Sequence, residues 1–308
     1  RPDADTDEKA GGWLGAYLPM YRTRRELRNA TLWAHLMPQS ETHRRDFEQA
    51  QRDHDAAVVR WRTTLTATLE ILGQRLWSAL DGLLQEAGVQ CVTLIPQGQL
   101  FLLPLHACPL EIEGKTIYAG ERYPMGYAPA ASLLVSPNGV DDVAPDVGTA
   151  RSPLLVTNPT RDLRRTVAVT PAVRAVVGGN AAASSVVSLW EADATQSNVV
   201  QAMARADVVH FYGHGTYNWG APERSGLVLA DAQDPDGSDL LTVAEMRDRL
   251  QLGRVRLMTL AACESGMVEV QRGLADEYIG LPFILLQAGS RAVVASLWTV
   301  SAFATALL

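Results

Sequence analysis

Apolar residues recur at Val58, Trp61, Leu65, Leu69, Leu72, Leu76, Leu80 and Leu83, in steps of three and four. That spacing lays one stripe along a helix of about 3.6 residues per turn, and the stripe must be buried against something. Ser40 suits an N-cap, Glu41 suits the first turn and Gly88 suits a stop, so one long helix is predicted over 40–88. His43 and His54 are expected on its exposed side. Ahead of it, Gly11-Gly12, Pro19 and Pro38 predict short helices with breaks, the middle one over 23–36.

From Val89 onward the pattern changes. Short apolar runs at 89–95, 154–157, 185–190, 207–212, 225–230, 256–260 and 291–297 predict strands. A further strand region is expected over 118–127 and a short helix over 128–135. Helical segments are expected over 170–177, 195–204, 242–250 and 274–288, the last broken by Pro282. Runs that are apolar on both faces suit strands covered on both sides. Alternating β and α units predict an α/β fold, a largely parallel sheet with helices on both faces, preceded by an α-helical N-terminal region. The expected division is a helical region over 1–87 and an α/β domain over 88–308. The Pro-, Gly- and Asp-rich stretch 136–153 would split that domain into an N-terminal part, 88–150, and a catalytic part, 151–308.

Two of these runs end in chemistry. Val208-Val209-His210-Phe211-Tyr212-Gly213 leads into His214-Gly215, and Leu257-Met258-Thr259-Leu260-Ala261-Ala262 leads into Cys263-Glu264-Ser265-Gly266. Side chains just past the carboxyl ends of neighbouring parallel strands share one crevice, where open α/β sheets bind ligands. A thiol needs a nearby base to become a nucleophile at neutral pH. Taken singly, a cysteine after a strand is usually a small buried hydrophobe and a histidine usually a hydrogen-bonded bystander. Taken together they are more telling. Cys263 lies 49 residues after His214, and caspases place their histidine about 50 residues upstream of the cysteine. The local sequence Ala-Cys-Glu-Ser-Gly departs from the caspase Gln-Ala-Cys-x-Gly.

Three ordered blocks resemble the CHAT family more closely. They are His-Phe-Tyr-Gly-His-Gly-Thr-Tyr-Asn, then Leu-Ala-Ala-Cys-Glu-Ser-Gly, then Leu-Gln-Ala-Gly-Ser-Arg-Ala-Val-Val-Ala-Ser-Leu-Trp-Thr-Val. The resemblance runs from about Val89 to the end. CHAT proteins are caspase-clan cysteine proteases, relatives of separase, often joined to helical repeats and acting in larger assemblies, several in bacterial immunity. The resemblance implies a caspase-like fold with His214 as base and Cys263 as nucleophile. It also implies that the backbone N–H groups of Gly215 and Cys263 form an oxyanion hole. Where the family usually has Asp in W-x-V-x-D-x-x-T, this chain has Ala302.

Composition narrows the remaining classes. The chain has 308 residues, 47% hydrophobic and 20% charged, as in an ordinary globular protein. A net charge of −7 argues against direct nucleic-acid binding. No run reaches the roughly 18 apolar residues of a membrane span. The polar, acidic start is unlike a signal peptide, and the three cysteines are too few for a disulfide framework. A cytoplasmic setting is expected. No cofactor or metal is expected: His106-Ala107-Cys108 lacks a second ligand pair, and Asp234-Pro235-Asp236-Gly237 fails the calcium-loop pattern at its first and last positions. G-x-S-x-G, H-E-x-x-H and Walker A sequences are absent.

The function expected is a cysteine endopeptidase on a protein or peptide substrate; the competing class is a caspase-like module that only binds. A regulatory protein domain or ligand is expected as a partner, because 266–273 is flexible by composition and lies after the nucleophile. Acidic Glu264, Asp276 and Glu277 are candidates for a pocket taking a basic side chain. The competing role for Asp276 and Glu277 is to satisfy the first turn of the 274–288 helix.

Overall fold

A computed structural model describes residues 12–131, 152–163, 171–175, 186–233, 238–270, 278–298 and 300. Two compact units emerge: Arg1–Leu94 with Pro104–Gly126, and Ile95–Leu103 with Tyr127–Leu308. The first unit thus reaches past residue 87 and takes back a later stretch of chain.

The first unit opens with α1 (Gly12–Leu36), one continuous helix rather than several, with Pro19 inside it. Its buried residues Trp13, Ala16, Tyr17, Leu18 and Met20 lie in its first turns. Tyr17 meets Trp61 edge-on at 5.8 Å, which docks α1 on the long helix α2 (Glu41–Leu72). Ser40 caps α2 by accepting the His43 N–H. His43 and His54 are half-buried, not exposed: His43 stacks on Trp33, and His54 Nδ1 lies 3.2 Å from Thr23 Oγ1.

The predicted long helix changes phase midway. A π turn (Gly73–Trp77) joins α2 to α3 (Ser78–Glu86). The wider turn rotates the stripe, so Trp77 becomes fully buried in place of half-buried Leu76, and Leu83 is 63% exposed. Trp77 Nε1–H donates to the Leu105 carbonyl. Leu69, Leu72, Leu80 and Leu84 pack around Trp77, Cys108, Leu110 and Ala119. Gly88, at φ +65°, closes α3 as expected. Then come β1 (Val92–Leu94), the β2 (Pro109–Ile112)/β3 (Lys115–Tyr118) hairpin, short helix α4 (Ala119–Arg122) and β4 (Met125–Tyr127), which pairs with β1. Around Pro104 the chain forms two 3-10 turns, Gly98–Leu102 and Leu105–Ala107.

The second unit carries the sheet. Its strands are β5 (Pro153–Thr157), β6 (Val187–Trp190), β7 (Val208–Tyr212), β11 (Leu257–Ala261) and β14 (Val293–Val294), in the order β14-β11-β7-β5-β6. All four pairings are parallel. Helices α5 (Gln196–Met203), α6 (Val243–Arg249) and α7 (Leu281–Gln287) all pack with Leu154, Val156, Val209, Phe211, Met258 and Leu260 on one face. Their crossovers all run in one direction across the sheet, and right-handed crossovers put such helices on one side. The β5-to-β6 connection runs the other way. Its helical residues 171–175 present Val173 to Val208, whose side chain is on the opposite face. The expected cover on both faces is therefore present. A small antiparallel sheet, β8 (Gly215–Thr216), β9 (Gly226–Ala230) and β10 (Ser238–Thr242), branches off after β7.

The 274–288 segment differs from expectation. Residues 278–280 form β13 (Tyr278–Gly280), paired antiparallel with β12 (Val268–Val270), and α7 starts only at Leu281, with Pro282 in its first turn. Proline belongs there, because it lacks the N–H that a helix start leaves unpaired. Among the described residues no helix is long and apolar enough to cross a membrane.

Gly73 gives a test of the π turn. A Cβ at Gly73 would lie 2.1 Å from the Pro109 carbonyl oxygen. In an ordinary helix Gly→Ala gains up to about 1 kcal/mol. Here Gly73→Ala is expected to lose about 1–3 kcal/mol through overpacking, read by chemical denaturation; a stabilised variant would contradict the close approach.

Candidate active site

The sheet order, written by appearance in the chain, is 2-1-3-4-5, which reverses direction between β5 and β7. Ligands bind open α/β sheets at such a reversal, outside the carboxyl ends of the strands. The loops leaving β5, β7 and β11 meet there.

Strands β7 and β11 pair from Val208↔Leu257 to Tyr212↔Ala261, an offset of 49 at every step. The offset equals the separation of His214 and Cys263, each of which follows the end of its strand by two positions. Gly213 N–H donating to the Ala261 carbonyl carries the pairing one step past the strands. Gly215 then lies against the Cys263 turn: a Cβ there would fall 2.6 Å from the Cys263 carbonyl oxygen. Only glycine permits that approach. Gly215 and Cys263, the two expected oxyanion donors, are thus backbone neighbours.

The turn after β11 is tied down. Glu264 N–H donates to Trp298 O at 3.2 Å and Gly266 N–H to Ser296 O at 2.8 Å. Ser265 is fully buried; its hydroxyl donates to Ala262 O at 2.9 Å and accepts the Ser296 N–H at 3.1 Å. Cys263 itself is partly exposed, with Sγ 3.6 Å from the Val300 carbonyl. Glu264 is only 4% exposed, so a basic side chain pairing with it would have to be buried as well. Asp276, Glu277 and Ala302 lie outside the described residues. Helix α7 begins at Leu281.

Of the stretch expected to be loose, 266–273, residues 266–270 are described. Gly266 is pinned to Ser296 and Val268–Val270 is paired with β13.

A residue the sequence reading missed stands on the third loop. Both carboxylate oxygens of Asp162 lie 2.9 Å from His214 Nε2. Asn158, 2% exposed, organises this loop. Its N–H donates to Tyr212 O, its Oδ1 accepts the Leu163 N–H at 2.9 Å, and its Nδ2 donates to Glu191 Oε1 at 3.3 Å. Burial raises the Asp162 pKa, but hydrogen bonds from Thr160 and His214 outweigh it and hold the carboxyl below its ordinary range. No spacing rule exposes Asp162; the only sequence cue is Asn158-Pro159 ending a buried strand.

Backbone strain gathers here too. Among the described residues five non-glycine residues have left-handed φ, and Asn158, Arg161, Glu191 and Glu264 are four of them. Each such conformation costs of order 1–3 kcal/mol and persists where surrounding bonds impose it, often at functional sites.

Residues 66–308 match the family model of the CHAT domain. The chain belongs to the CHAT family. The match begins inside α2, earlier than the resemblance visible in the sequence, so the CHAT region takes in the π turn and α3. CHAT domains are a caspase-like family of cysteine peptidases. Comparison with curated proteins gives no match. Among the described residues of this CHAT protein no cluster of three or more His, Cys, Asp or Glu side chains could hold a metal ion.

His210, the other histidine of the His-x-x-x-His run, has a different role. Its Nδ1 lies 2.6 Å from Thr259 Oγ1, and Nε2 is buried with no partner among the described residues. Burial lowers its pKa to about 4. It is neutral in the fold near pH 7, whereas the unfolded chain protonates it below about 6.5. The stability it permits is complete above that value and is lost as pH falls toward about 4. From pH 7 to 5 the wild type should lose about 2 kcal/mol that His210→Gln does not lose, read by denaturant titration at both pH values. Equal losses in the two proteins would contradict this.

Proposed function

We propose that the chain is a cysteine endopeptidase in which Cys263 is the nucleophile and His214 the general base and acid. The observation that supports this is the β7–β11 register, whose offset of 49 equals the separation of the two residues, each two positions past its strand end. The chemistry follows from the residue types. His214 takes the thiol proton as Sγ attacks the scissile carbonyl carbon. A C–S bond forms and the carbonyl π pair moves to oxygen. The N–H groups of Gly215 and Cys263 receive that oxyanion. When the C–N bond breaks, His214 gives its proton to the departing amine and leaves a thioester. Water attacks the thioester, His214 takes a water proton, and the proton returns to sulfur as the acid product leaves. One acid–base residue thus serves both halves.

Cys263→Ala and His214→Ala should each lower peptide cleavage by at least ~1,000-fold, since members of such a unit fail together. Both variants should unfold within about 1 kcal/mol of wild type, as partly exposed sites allow. The measurement is cleavage of an unstructured protein substrate, with fragments read by mass spectrometry. Cleavage by purified Cys263→Ala above a mock preparation would overturn the assignment.

A further inference from the structure

We infer that Asp162 is a positioning residue of this site: its carboxylate holds His214 through Nε2 and leaves Nδ1 as the ring nitrogen that exchanges the proton with Cys263. The inference rests on the assignment of Cys263 and His214 made above. It begins from the two 2.9 Å approaches of the Asp162 oxygens to Nε2. A carboxylate only accepts, so the Nε2 facing it carries hydrogen. In the neutral ring the other nitrogen is then bare and can act as the base. When Nδ1 takes the thiol proton the ring becomes a cation, and the same carboxylate stabilises it. No proton passes to Asp162 at any step.

Proximity alone would be weak support. The two side chains are 35% and 51% exposed, and ion pairs that open to water contribute little. The construction of the loop separates this pair from an incidental one. Thr160 Oγ1 donates to Asp162 Oδ1, giving the carboxylate a second hydrogen-bond partner. Asn158 holds both ends of the 158–163 turn from within, and Glu191 at the end of β6 holds Asn158. Asn158 and Arg161 both adopt left-handed φ to make the turn. The Asn158 N–H bonds to Tyr212 O, two residues before His214, so the loop is anchored to the strand that carries the base. Three strand ends are thereby tied into one constellation of Asp162, His214 and Cys263.

The test uses the full chain, with Asp162→Asn and Asp162→Ala. Asparagine keeps the shape but can turn its amide to donate toward Nε2, which would favour the wrong tautomer. With an unstructured protein substrate, kcat should fall at least ~100-fold in both variants while KM stays within ~3-fold. In parallel, 15N-labelled histidine spectra, assigned by the signal lost in His214→Ala, should show wild-type His214 protonated at Nε2 and bare at Nδ1. That pattern should be lost in Asp162→Asn. A loss in KM with kcat unchanged would make Asp162 a substrate contact and overturn the inference. So would unchanged His214 spectra in both variants, whatever the cleavage result. A wild type that cleaves nothing but shows the expected spectral change would sink the peptidase assignment and leave the hold of Asp162 on His214 standing.

Discussion

The site depends on one register, the parallel pairing of β7 with β11. Because side chains alternate along a strand, a slip of one residue would turn the apolar side chains of one strand out of the core. Both faces of the pair resist such a slip. Val209, Phe211, Met258 and Leu260 enter the core on one side. On the other side His210 meets Thr259, and at the strand entry Asp207 meets Arg256 through backbone and side chain. These contacts repeat the offset of 49 that the pairing sets, which is also the separation of His214 and Cys263 in the chain.

What the register sets, the turns refine. Gly215 lets the chain after β7 pass against the Cys263 carbonyl, and buried Ser265 ties the Cys263 turn to Ser296. Asn158 does the same for the loop after β5. Reactive groups on loops are held well only when the scaffold over-determines those loops. The left-handed residues at 158, 161, 191 and 264 mark where that happens.

The sheet was readable because parallel strands buried on both faces leave unbroken apolar runs, as at Leu154-Leu155-Val156 and Val208-Val209. His214 and Cys263 stood out in the sequence because each follows such a run. The long N-terminal helix was readable in place but not in phase: nothing in the apolar spacing announces a π turn, and the contact that requires Gly73 lies at Pro109, far along the chain. The 274–288 helix was overextended because Leu274 and the residues after it suit a helix, whereas 278–280 pairs with 268–270, a tertiary contact that propensity does not carry. Asp162 was hidden for the same kind of reason. It sits in a short polar loop, and its meaning comes from a histidine 52 residues away.

The most direct measurement of the central claim, that His214 activates Cys263, is the rate of alkylation of individual thiols by iodoacetamide at pH 7. The chain supplies its own controls: Cys91 is exposed, and Cys108 is buried with its pKa pushed up to about 11. If His214 promotes the thiolate, Cys263 should react at least ~10-fold faster than Cys91, with Cys108 slowest, because the thiolate is the reacting form. That advantage should vanish in His214→Ala. A Cys263 that reacts no faster than Cys91, or whose rate is untouched by His214→Ala, would contradict the account.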